Sequence, residues 1–273
     1  MTLPVIAAGS TAVISGAGSG IGRALAERLD ASGMNVVVAD VDEVAAQRTA
    51  SGLASAVAVR ADVRSHSDLD RLLDVTLRQF GTPSLVCANA GVGSRGLPAV
   101  ELPMADFEWV LGVNLHGAIR TVQTFLPSLV RAGAGRVVTT ASVAGLVPVP
   151  LMAPYSAAKA GLIAYSEALR DELAGTGVGV SVLCPAWVRT SLPDWERHDA
   201  YQHSWTEAQR AALDARRAAV AAAFENEAID PSELAEVVVR AIEQDRFWIL
   251  NSGGVLADLE QRNARIRGDL DGP

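Results

Sequence analysis

Tyr155 and Lys159 stand four residues apart just after Pro154, and Ser142 lies thirteen residues before the tyrosine. Proline suits the first position of a helix, because its fixed φ fits the turn and its missing N–H would have no partner there. The spacing predicts a helix opening at Pro154. On it, i and i+4 put phenol and ammonium on one face. A phenol with an ordinary pKa of about 10 needs roughly 4 kcal/mol of help to act as an acid or base near pH 7. A cation at ~4 Å supplies about that much at an effective dielectric of ~20. Lys159 is therefore expected to lower the Tyr155 pKa, and Ser142 to hold a substrate oxygen. Alone, the pair also reads as an ordinary partly exposed helix couple.

Positioning such a trio requires a strand that ends at Ser142 and a helix that starts near Tyr155. Arg136–Thr140 is an apolar run of strand length. Similar runs occur at Ala12–Ser15, Asn35–Ala39, Ala56–Arg60, Ser84–Ala88, Val178–Leu183 and Phe247–Leu250. Helical patterns fill the gaps, including Met104–Ala132 and Pro154–Gly175. Alternation of this kind predicts an α/β fold: a doubly wound, seven-stranded parallel sheet flanked by helices.

The first strand runs into Ser15-Gly16-Ala-Gly18-Ser19-Gly20-Ile21-Gly22. Glycines there permit a tight turn and let backbone N–H groups approach a pyrophosphate at a helix N-terminus. The second strand ends at Asp40, eighteen residues past Gly22, where a carboxylate can grip a ribose hydroxyl. Capping the next helix is its other reading, and Asp42 is an alternative cap. No Lys or Arg stands in the glycine turn before Arg23 or closely follows Asp40, which favours NAD over NADP.

With Asn89-Ala90-Gly91 and Asn114 added, the chain resembles the short-chain dehydrogenase/reductase family from about Thr11 to Thr190. The resemblance implies a Rossmann-type fold and an Asn114, Ser142, Tyr155, Lys159 catalytic set. It implies that Gly16, Gly18, Ser19, Gly20, Ile21 and Gly22 cradle the cofactor, and that Asp62 and Val63 meet the adenine. It implies that Asn89, Ala90 and Gly91 let the dinucleotide pass close and that Tyr155 and Lys159 touch its ribose. It also implies that Pro185, Val188 and Thr190 meet the nicotinamide carboxamide, and that Asn114 holds a water that relays protons to Lys159. A loop cap is the plainer role for Asp62, and a kink residue for Asn114. Three departures stand out: Ser15 for threonine, Ala88 for a second asparagine, and Ala186 for a glycine whose replacement asks more of the backbone.

The chain of 273 residues is 49% hydrophobic and carries a net charge of −8. The length suits one domain, 1–273, and the acidic balance counts against nucleic acid. No run approaches a membrane span and the N-terminus lacks a signal peptide's basic start, so a cytoplasmic protein is expected. Cys87 and Cys184 read as buried hydrophobes. His66, His116, His198 and His203 have no metal-ligand spacing, so no metal is expected.

Residues from about 187 to 226 hold Trp187, Trp195, Tyr201, Trp205 and Phe224, and read as a substrate lid. The loop Val143–Met152 is apolar, proline-containing and uncharged. Both suggest a bulky, mostly apolar substrate; Arg95 and Arg189 are the cations that could instead meet an anionic one. A helical tail at about 253–268 should turn Arg262, Arg265 and Arg267 to solvent. The expected activity is NAD-dependent interconversion of a secondary alcohol and a ketone, in a homodimer or homotetramer. An NADPH-dependent ketoreductase of lipid or polyketide synthesis is the alternative, and a non-catalytic nucleotide-binding scaffold is the rival of another class.

Overall fold

A computed structural model describes residues 4–94, 96–192 and 227–270, together with 206–208, 211, 214 and 215. Seven parallel strands form one sheet: β1 Thr11–Ser15, β2 Asn35–Asp40, β3 Ala56–Arg60, β4 Leu85–Ala88, β5 Gly135–Thr140, β6 Val178–Cys184 and β7 Trp248–Leu250. Their order is β3-β2-β1-β4-β5-β6-β7. The sheet anticipated from the apolar runs is present, with each bound moved by one residue at most. The runs are continuous rather than alternating because both faces are covered. Ala12 and Ile14 pack into one core layer while Val13 packs into the other.

The chain winds outward in both directions from β1 and β4. A sheet wound this way opens a crevice at the carboxyl ends of those two strands. The glycine turn leaves β1 at that edge and Asn89–Gly91 leaves β4 beside it. Helices α1 (Gly20–Ala31), α2 (Glu43–Ser51) and α3 (His66–Phe80) follow the first three strands. Asp42 caps α2, accepting from the Ala45 N–H at 3.0 Å.

The predicted long helix over Met104–Ala132 is broken. It comprises α4 (Met104–Leu111), a π turn (Gly112–Gly117) and α5 (Ala118–Ala132). Such single-turn π insertions re-aim one side chain out of the helical register. The side chain here is Asn114, fully buried. Gly117 is needed in the same turn, because a Cβ on it would lie 2.5 Å from Val63 Cγ2.

After β5 come a short helix α6 (Val143–Leu146) and α7 (Ala153–Glu172), with Pro154 in the first turn of α7. The buried stripe of α7 is Tyr155, Ala158, Lys159, Leu162, Ser166 and Leu169, so the two reactive candidates lie on its core face. The chain continues through α8 (Pro231–Glu243) and α9 (Val255–Leu270). Among the described residues, no helix is long and apolar enough to cross a membrane.

Candidate active site

Ser142 stands where β5 gives way to α6, and its hydroxyl accepts from the Ala144 N–H at 3.1 Å. It also stands near enough to the Tyr155 phenol to favour its ionisation. Gly145 lets α6 lie against α7: a Cβ there would stand 2.6 Å from the Lys159 carbonyl carbon. This close packing brings the end of β5 to the first turn of α7. Val143 N–H donates to the Pro185 carbonyl at 3.1 Å, tying the turn after β6 to the same place.

Lys159 donates from Nζ to the Thr140 carbonyl at 2.7 Å and lies 5.6 Å from the Tyr155 ring centroid. Both side chains are buried. Burial pushes the phenol up to about 12, and the nearby Ser142 hydroxyl offsets only part of this. Burial pushes the ammonium down to about 8. In the protein's own field, then, Lys159 does not supply most of the downward shift expected of it. Its charge is directed at the Thr140 carbonyl, and burial is the largest cause of both shifts.

These shifts give a stability signature. Between pH 8 and 10.5 the unfolded chain keeps the Lys159 proton that the folded chain has released. Stability from this group therefore rises with pH across that window, by about 3 kcal/mol in all. Tyr155 acts oppositely from pH 10 to 12, where the unfolded chain is already ionised. Urea unfolding of wild type and Lys159→Met should give a stability difference that climbs in the wild type's favour from pH 8 to about 10. A flat difference would show that the buried ammonium carries no such penalty.

Asn114 uses both ends of its amide on one residue. Oδ1 accepts from the Val92 N–H at 3.0 Å, and Nδ2 donates to the Val92 carbonyl at 2.9 Å. A Cβ on Gly91 would fall 2.9 Å from that Oδ1 and 3.5 Å from Lys159 Nζ. Gly91 is thus demanded by the protein's own side chains, a constraint that sequence reasoning assigned to the cofactor alone.

The turn after β1 is built to approach another molecule. Gly16 and Gly20 hold positive φ values of 68° and 52°. A Cβ on Gly22 would stand 2.2 Å from the Gly16 carbonyl oxygen. No side chain caps α1 at Ser19, so the first-turn amides keep their hydrogen-bonding capacity for an anion. A cavity of about 540 Å³ opens there, lined by Ser19, Gly20, Arg23, Arg189 and Thr190. Tyr155 is not among its lining residues. Arg189 therefore faces this cavity, whereas Arg95, Trp195, His198, Tyr201, His203, Trp205 and Phe224 lie outside the described residues.

Asp40 ends β2 with its carboxylate beside the turn. Oδ2 accepts from the Gly18 N–H at 2.9 Å and Oδ1 from the Asp42 N–H at 3.0 Å. The helix cap is Asp42, so Asp40 keeps unused lone pairs. Asp62 is engaged by Arg64 through its backbone N–H and guanidinium, which holds the carboxyl below its usual range. Val63 is buried against Gly117. Val188 bridges to Ile229, and Ala186 donates to Asn251 Oδ1 at 2.8 Å without a positive φ. The strain expected from alanine at 186 is absent.

Sequence reasoning passed over Thr140 and undervalued Ser15. Ser15 Oγ accepts from the N–H groups of Asn89 and Ala90, at 3.0 and 3.2 Å. Thr140 Oγ1 donates to Asn89 Oδ1 at 3.2 Å. A chain of polar contacts thus runs from the glycine turn to the carbonyl that holds Lys159. A hydroxyl at the end of each strand was the only available signal.

The glycine turn, the carboxylate-tipped second strand and the Ser–Tyr–Lys cluster coincide with a match to the short chain dehydrogenase family over residues 10–200. The chain belongs to the short-chain dehydrogenase/reductase family. This oxidoreductase is 40% identical, over 187 residues, to a 1-deoxy-11-beta-hydroxypentalenate dehydrogenase of Streptomyces exfoliatus, covering 66% of this chain and 68% of that one. It is 34% identical to a 2,5-dichloro-2,5-cyclohexadiene-1,4-diol dehydrogenase of Sphingobium indicum, over 67% of this chain and 74% of that one. A short-chain dehydrogenase/reductase from Burkholderia phymatum, solved in complex with NAD, superposes with a TM-score of 0.89. It is 36% identical, over 97% of this chain and 96% of that one.

Proposed function

We propose that this short-chain dehydrogenase/reductase interconverts a bulky, mostly apolar secondary alcohol and its ketone, using NAD. The observation that carries the reading is the convergence of Ser142, Tyr155 and Lys159 where β5 meets α7, on the crevice that Asp40 and the glycine turn border. A nicotinamide bound there supplies the hydride acceptor or donor. The protein's part is to bind, orient and move a proton. Ser142 holds the substrate oxygen, and Tyr155 Oη takes its proton in oxidation or returns it in reduction. Lys159 would hold a ribose hydroxyl, and its charge would join that of an oxidised nicotinamide in favouring the ionised phenol. Asn114 supports the relay to Lys159 as a positioning residue, by fixing the turn after β4 through Val92.

The residues present fit a dinucleotide. Gly16, Gly18, Ser19, Gly20, Ile21 and Gly22 would hold the pyrophosphate, with Arg23 and Arg189 adding positive charge. Asp40 would hold the adenosine ribose, Asp62 and Val63 the adenine, and Pro185, Val188 and Thr190 the carboxamide. Asn89, Ala90 and Gly91 would line its path. On the substrate side, Val149 and Leu151 are 40% and 45% exposed in the uncharged loop before α7. With Trp187 they would present an apolar wall. The pentalenate and cyclohexadienediol relatives add support for an alicyclic alcohol. A cytoplasmic homodimer or homotetramer, one domain per chain, completes the proposal.

The test is a panel of aryl, alicyclic, terpenoid and steroid secondary alcohols with NAD, following NADH formation. At least one apolar alcohol should exceed short hydroxy acids in kcat/KM by tenfold or more, as about 1.4 kcal/mol of apolar contact would give. Turnover confined to charged acyl thioesters with NADPH would favour the ketoreductase reading.

A further inference from the structure

Helix α9 stands off the sheet. Val255 is buried at its base, and Arg262 Nη1 donates to the Leu146 carbonyl at 3.1 Å. This contact corrects the expectation that Arg262 faces solvent alone. Beyond it, every residue from Asn263 to Leu270 is exposed. Leu256, Ile266 and Leu270 are 57%, 50% and 80% exposed, three large apolar side chains bared on one helix.

Their spacing is ordered. Leu256, Leu259, Asn263, Ile266 and Leu270 follow one another at alternating steps of three and four. That is the a/d seam of a coiled coil, with one polar residue at a central a position. Glu260, Arg262, Arg267 and Asp269 flank the seam at e and g. Glu260, Arg267 and Asp269 have no partner within the chain among the described residues.

We propose that α9 pairs antiparallel with α9 of a second copy of this chain. The flanking charges fix both partner and direction. With the twofold axis between residues 264 and 265, Leu259 meets the partner's Leu270 and Asn263 meets the partner's Ile266. Glu260 then faces the partner's Arg267, and Arg262 the partner's Asp269, each twice by symmetry. A parallel pair would align the two Asn263 side chains but set Arg262 against the partner's Arg267. Arg262 can serve both Leu146 and Asp269, since a guanidinium has five donors. Asn263 opposite isoleucine costs stability and pins the register. Sixteen residues bury less than the ~1,200 Å² of a stable interface, so this contact joins copies alongside other surface rather than alone.

The experiment places a nitroxide on Ala264→Cys, beside the axis. Cys87 and Cys184 are buried and stay unlabelled. Helices 8–10 Å apart put the two labels at about 2 nm. Dipolar spectroscopy of the full chain should show that distance. It should vanish in Arg267→Glu, which sets a second carboxylate opposite Glu260 across the pair, and return in Glu260→Arg with Arg267→Glu. Within one chain, residues 260 and 267 are too far apart for such rescue. No ~2 nm distance in the parent, a stronger one in Arg267→Glu alone, or no return in the double variant would each overturn the proposal. All the substituted side chains are solvent-facing, and circular dichroism confirms that each variant is folded.

Discussion

Tyr155→Phe is expected to lower kcat by about 10²–10⁴, the range typical of losing a positioned acid or base. The phenol oxygen is the atom that can exchange a proton, and phenylalanine removes it while leaving the ring packed in the core. NADH affinity, read by fluorescence titration, should stay within a few-fold. Folding should be little changed at neutral pH, because the phenol is buried and protonated there. The pH response follows the same geometry. With burial holding the phenol at about 12 in the protein's own field, oxidation should accelerate as pH rises toward the point where the phenol ionises. Ketone reduction needs the protonated phenol and should slow over the same rise. A Tyr155→Phe enzyme with near-normal turnover would remove Tyr155 from the reaction and return it to the core.

The second large effect concerns Asp40. Its carboxylate is fixed from both sides by the Gly18 and Asp42 amides, so it cannot easily turn away from a neighbouring group. A ribose hydroxyl donating to it contributes roughly 1.5–3 kcal/mol. A 2′-phosphate removes that donor and brings a charge near −2. At ~5 Å and an effective dielectric of ~40 the repulsion is roughly 3 kcal/mol. Together they give about 5 kcal/mol, or more than a thousandfold preference for NAD, which screening could reduce tenfold. Asp40→Ala should narrow the gap by weakening NAD and relieving NADP. Adding Val41→Arg should move the preference toward NADP, since Val41 is exposed and free to be replaced. The readout is kcat/KM for both cofactors with one alcohol. Equal use of both by the wild type would leave Asp40 as a brace for Gly18 and Asp42.

The order of strands and helices was legible because each buried parallel strand is a short apolar run, and each helix carries a stripe or a cap. The Tyr155–Lys159 pair was legible for the same reason: its spacing is helical and Pro154 marks where the helix begins. What the residues could not state was the environment. Whether Lys159 lowers the phenol depends on where its ammonium points, and Thr140, nineteen residues away in sequence, takes it. Asn114 was visible as a misplaced amide, but its partner Val92 and its place in a π turn are settled only where α4 and that turn pack against α7. Gly91 was conspicuous, yet the side chains that require it come from two other elements. Spacing along the chain determines local faces and turns. Burial, electrostatic balance and the pairing of buried polar atoms are sums over neighbours distant in sequence, and only the packed structure fixes which neighbours those are.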